Sequence, residues 1–139
     1  MTEGQQDLVR GSFAGIAPNA AVVAATFYAR LFELDPARRP LFTGNMAAQG
    51  RKLMAMIATA VGNLHNLGTV IPAIEQLGIR HAGYGVTDQH YDTVASALLW
   101  TLEQELGDAF TPATRAAWTD CYATLAGIMQ QAARTTANP

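Results

Sequence analysis

The apolar residues of this chain recur at helical spacing almost from end to end, and no stretch alternates with the period of a strand. A chain so patterned buries its apolar faces only by packing helix against helix. The breaks in the pattern then define the pieces. A first helix is expected from about Gln5 to Ile16. It stops at Ala17-Pro18-Asn19, because proline is not carried in a helix interior and Asn19 can cap the next helix. A second runs from about Ala20 to Leu34, with Val23, Phe27, Leu31 and Leu34 on one side. Asp35-Pro36 caps and starts a short helical segment ending near Leu41-Phe42, and Thr43-Gly44-Asn45 reads as a loop. A long helix comes next, from about Met46 to Leu64, with Gln49, Leu53, Met56, Ile57 and Ala60 on one face, and then another from Val70 to His81. Thr87-Asp88 caps a helix that Gly107 ends, and Thr111-Pro112 opens the last one with a capping hydroxyl and a proline at the first position. The tail from Arg134 to Pro139 reads as frayed. The expectation is one all-α domain over residues 1–139, of about seven helices.

Composition narrows the function. Half of the 139 residues are hydrophobic and 14% are charged, which suits a domain with much interior or a bound apolar ligand. The formal net charge of -2 and the lack of a basic stripe exclude a nucleic-acid binder. No run of 18 residues is uniformly apolar, so no membrane span is expected, and the polar, acidic start does not resemble a secretory signal. A single cysteine, Cys121, rules out an internal disulfide and fits a reducing, cytoplasmic setting. Cys121 shares a helix face with Trp118, Tyr122 and Leu125, where it packs rather than reacts.

His81 carries the most chemical information. It lies on the apolar face formed by Val70, Ile74, Leu77 and Gly78, just before Gly83-Tyr84-Gly85-Val86. A histidine directed into a core needs a partner for each ring nitrogen. Hydrogen bonds can supply both. Metal coordination at one nitrogen with a backbone carbonyl accepting from the other supplies them equally well.

Four blocks in order resemble one family. Phe27-Tyr28-Ala29-Arg30-Leu31-Phe32 with Asp35-Pro36 and Pro40-Leu41-Phe42 is the first. Gln49-Gly50-Arg51-Lys52-Leu53 is the second, Arg80-His81-Ala82-Gly83-Tyr84-Gly85-Val86 with His90-Tyr91 the third, and Ala117-Trp118 with Tyr122 the fourth. Together they resemble the single-domain bacterial haemoglobins, globins related to the globin part of flavohaemoglobins, over almost the whole chain. The resemblance implies a globin fold, a b-type haem and the binding of dioxygen and other diatomic gases.

On that resemblance His81 is the iron's one protein ligand, with its other nitrogen bonded to a carbonyl near Leu77. Phe42 would stack on the porphyrin. Leu53 and Val86 would fill apolar positions, and Lys52 could reach a propionate. Met56, Leu77, Tyr84, Tyr91, Val94 and Leu98 complete the set placed around the cofactor. Tyr28 and Gln49, with Leu53 beside them, take the polar distal positions. A phenol and an amide there could each donate to bound dioxygen, at ~1.5–3 kcal/mol per bond to a charged group. Neither His65 nor His90 is expected at the iron; His65 comes 16 residues after Gln49, roughly 24 Å of straight helix.

One departure bears on the chemistry. Flavohaemoglobin-type globins place a tyrosine and a glutamate behind the ligand histidine. Tyr91 fits the tyrosine, but the glutamate position falls near Ala133, with no carboxylate among Gln130, Gln131, Ala132 and Arg134. That favours oxygen storage, delivery or protection over catalysis. A nitric oxide dioxygenase working with an external reductase is the alternative.

Overall fold

The computed structural model describes residues 1–137, and among them every regular element is helical. There are six α-helices in order: α1 (Glu3–Ile16), α2 (Ala20–Leu34), α3 (Met46–Gly62), α4 (Ile71–Gly83), α5 (Asp88–Leu106) and α6 (Pro112–Ala137). A 3-10 segment, Pro36–Leu41, supplies the short helical piece expected there; Ala17–Asn19, Leu64–Thr69 and Gly107–Ala109 are further 3-10 turns. Arg134 to Ala137, expected to fray, continue α6, while Asn138 and Pro139 lie outside the described residues.

Local chemistry sets the ends of the helices. Thr2 caps α1 in a reciprocal arrangement with Gln5, which carries the helix two residues further back than its apolar pattern. Asn45 caps α3 through bonds from Ala47 N and Ala48 N, and Thr111 accepts from Thr114 N at 3.2 Å. Thr87 caps α5 jointly with His90, whose Nδ1 accepts from Thr87 N at 2.9 Å. Two expected caps are absent. Asn19 makes no capping bond, because the 3-10 turn at Ala17–Asn19 leads straight into α2. Asp35 makes none either; its carboxylate is 3.1 Å from Arg38 Nε instead. The long third helix ends at Gly62 rather than Leu64, where the chain tightens into the 3-10 turn.

By length and composition alone Glu3–Leu34 is apolar enough to cross a membrane. In the fold it is two helices with Pro18 in the turn between them, and Val9, Ile16, Val23, Ala24, Phe27 and Leu31 are core residues. The main core joins α1, α2, α3, α5 and α6 around Val9, Leu102, Trp118 and Cys121. Trp118 settles its indole N–H on Ser12 Oγ at 2.8 Å. Burial pushes the Cys121 thiol up to about 11, as expected for a packing residue.

Two further apolar clusters flank the core. One gathers Phe27, Tyr28 and Leu31 of α2 with Ala97 of α5. The other gathers Ile74 of α4 and Tyr91 of α5 with Ala126 and Met129 of α6. Helix α4 packs on α6, and α2 packs on α3 and α5; α4 has no comparable contact with α2, α3 or α5. The fold therefore holds α4 apart from the α2–α3 pair.

Candidate functional site

His81 occupies the last turn of α4. Its Nδ1 is 2.8 Å from the Leu77 carbonyl oxygen, one turn back. A carbonyl only accepts, so Nδ1 carries the proton, and Nε2 has its lone pair with no hydrogen-bond partner among the described residues. The side chain is half-buried. That burial lowers its pKa below 6.5; the Leu77 carbonyl pulls the other way, and the Arg80 charge adds to the lowering. The ring is thus held neutral, with Nε2 available to a metal.

The α2–α3 side is built from aromatic rings. Tyr28, 7% exposed, meets Phe27 edge-on at 5.1 Å and Phe42 at 5.3 Å, and stacks on Phe32 at 6.0 Å. Phe32 and Phe42 also touch, at 5.4 Å, and the Arg39 guanidinium covers Phe32. Burial pushes the Tyr28 phenol above its usual pKa, while the nearby Gln49 side chain opposes the rise. The phenol therefore keeps its proton and can donate, and Gln49 of α3 faces it.

Other expected residues fall on the two sides. Phe42, Leu53, Val94 and Leu98 pack against the Tyr28 cluster, and Leu77 and Val86 against the cluster of Ile74 and Tyr91. All six are only partly buried, as is Met56, so each leaves apolar surface available. Lys52 is exposed on α3. Tyr84 is not brought into the group: it comes after α4, 66% exposed, ahead of the turn at Gly85. Among the described residues no group of three or more His, Cys, Asp or Glu could hold a metal ion.

Behind α4, between it and α5 and α6, lies a hollow of about 180 Å³ that neither His81 nor Tyr28 lines. Tyr91 and Ala133 face it together, so the position that lacks a glutamate does lie beside the tyrosine. Asp88 lines the same hollow, from the start of α5. Burial raises the Tyr91 pKa and the Asp88 charge raises it further. Sequence reasoning misses Asp88, because an acidic residue in a first helical turn is ordinary. Its place one turn before Tyr91 is the signal that could have found it.

The globin family model matches residues 25–129. The neuroglobin of Dissostichus mawsoni is 31% identical over 145 residues, which cover 94% of this chain and 91% of the relative. Neuroglobin-2 of Oncorhynchus mykiss is 30% identical with the same coverage. Among solved structures, an engineered carbene transferase provisionally named as a nitric oxide dioxygenase, from Rhodothermus marinus, is similar at a TM-score of 0.88. It is 26% identical, with 98% of this chain and 95% of that one covered. A bacterial globin from Campylobacter jejuni has a TM-score of 0.87 at 24% identity, covering 99% and 100%, a likeness of fold.

Proposed function

The chain belongs to the globin family, and from that premise we propose that it is a single-domain oxygen-binding protein, with b-type haem ligated by His81 and dioxygen met by Tyr28 and Gln49, serving oxygen storage, delivery or protection in the cytoplasm. When bound, haem would supply an iron that takes a diatomic gas. The observation that carries the reading is the state of His81: a neutral ring, fixed through Nδ1 by the Leu77 carbonyl, with Nε2 open. The part-exposed apolar side chains of Phe42, Leu53, Met56, Leu77, Val94 and Leu98 suit a flat apolar cofactor, and Lys52 is exposed and free to reach an acidic edge. Phe42, already held against Tyr28, orients one wall of that surface.

The residues of this chain do three things in that reading. His81 would hold the metal, with its tautomer fixed by the Leu77 carbonyl. The aromatic cluster excludes water and holds Tyr28 in place. Tyr28 and Gln49 present hydrogen-bond donors where a polarised gas molecule would develop negative charge. Carbon monoxide, with little charge on its outer atom, should gain less from them.

Absorption spectra of the ferric, ferrous and oxygenated protein test haem content and ligation. Stopped-flow dissociation of both gases tests the donors. Tyr28→Phe should speed oxygen release by roughly ten- to a hundredfold, the loss of ~1.5–3 kcal/mol, and carbon monoxide release by much less. Equal effects on the two gases, or no effect on oxygen, would overturn the assignment of Tyr28.

A second reading has one observation in its favour, the provisional name of the Rhodothermus marinus neighbour. A nitric oxide dioxygenase would convert nitric oxide and dioxygen to nitrate, taking one electron per turnover from a separate reductase. Sustained nitrate production with an added reductase, against a single turnover without one, distinguishes it from simple storage.

A further inference from the structure

Gly78 is buried in α4, three residues before His81 and adjacent to Leu77. A Cβ added there would lie 2.4 Å from the Met129 carbonyl oxygen, and 2.6 and 2.8 Å from its Cα and carbonyl carbon. All three atoms are backbone of α6. No side-chain rotation can relieve the overlap, so the two helices would have to part until 2.4 Å became at least 3.0 Å. The buried residues of α4 are Ile74 and Gly78, and Gly78 also borders, with Ala82 and Ala133, the hollow between the helices.

We infer that Gly78 is a positioning residue for the His81 imidazole: its bare contact with the Met129 backbone sets the height of α4 over α6, and with it the reach of Nε2. The inference rests on His81 being the haem ligand. On the helix His81 stands about 60° round from Gly78, three residues at about 100° each. Lifting α4 off α6 therefore moves the ring sideways and draws it back by about half the lift. Leu77 travels with His81, so the Nδ1 bond survives. What changes is where Nε2 points, not the tautomer.

The test compares Gly78→Ala with Gly127→Ala, a helical glycine on α6 with open space around its added Cβ. Three quantities are read: the iron–histidine stretching band of the ferrous protein by resonance Raman, the rate of haem transfer to a scavenger, and the melting temperature without haem. Gly78→Ala should lower the band, speed haem loss at least about tenfold and melt below wild type without haem; Gly127→Ala should change none of these for the worse. Adding Met129→Ala should not restore the band, because the obstacle is backbone. If Gly78→Ala alone is too unstable, the same comparison is made in the Gly127→Ala background, whose extra helix propensity offsets part of the loss. A Gly78→Ala protein that melts lower but keeps the wild-type band and haem transfer rate would reduce Gly78 to a packing residue and overturn the inference. If the wild type shows no such band, or keeps it in His81→Gly, the ligand assignment itself has failed and this inference falls with it.

Discussion

The two sides of the candidate site solve the same problem differently. On the Tyr28 side, α3 crosses α2 at Gly50, where an added Cβ would meet the Ala24 methyl at 2.9 Å. On the His81 side, α4 crosses α6 at Gly78, where an added Cβ would meet backbone. The first side is filled by four aromatic rings in mutual contact. The second keeps a hollow of about 180 Å³, where Gly78, Ala82 and Ala133 lie among Val86, Asp88, Tyr91, Gln130 and Arg134. Side chains can be exchanged for one another, whereas backbone cannot. The Tyr28 side should therefore tolerate retuning of its polar groups, while the His81 side should have one permitted geometry.

The largest expected effect tests whether the two sides are unequal at all. His81→Gly should abolish retention of haem through the protein and restore it in part when free imidazole is supplied, read as haem transfer and ferrous spectra. Tyr28→Phe should keep its haem under the same conditions.

Next comes haem removal. A ligand that binds only the folded state adds about 4.1 kcal/mol when present at a thousandfold its Kd, so the haem-free protein should melt well below the loaded one. Hydrogen exchange should then show residues 70–86, which pack chiefly on α6 rather than on the α2–α3 pair, losing protection before α2 does. Uniform loss across both sides would break the comparison.

Smaller still, Gly50→Ala should destabilise by about 1–3 kcal/mol through overpacking. Here, unlike at Gly78, a second change should rescue: Ala24→Gly removes the methyl in the way, and its helical glycine cost of about 0.5–1 kcal/mol is offset by the glycine removed from α3, so the double variant should return close to wild type. Chemical denaturation of the single and double variants reads this directly. The smallest effect is expected from Gln49→Leu. Its side chain is only half-buried, so oxygen release should accelerate less than in Tyr28→Phe, with stability little changed.

How much the residues reveal by themselves depends on how local each feature is. Pro18, Pro36, Gly107 and Thr111-Pro112 mark boundaries because their constraints act within one turn, and the helices begin and end close to them. The bond from His81 to Leu77 is legible for the same reason, since one turn of helix fixes the partner. Asn19 and Asp35 mislead because residues suited to capping are drawn into a 3-10 turn and an ion pair. Tyr84 belongs to an apolar-looking segment, but the end of α4 leaves it outside. Gly78 cannot be read from sequence at all, since only the crossing of α4 and α6, 51 residues apart at the point of contact, gives its missing side chain a meaning.

The hollow at Ala133 has a genetic consequence. Alanine and glutamate codons can differ at the second base alone, and position 133 faces open space beside Tyr91 rather than packed side chains. A single nucleotide could therefore place a carboxylate beside Tyr91 in that hollow. The pocket as this chain has it and one with a carboxylate beside Tyr91 would then be adjacent in sequence space.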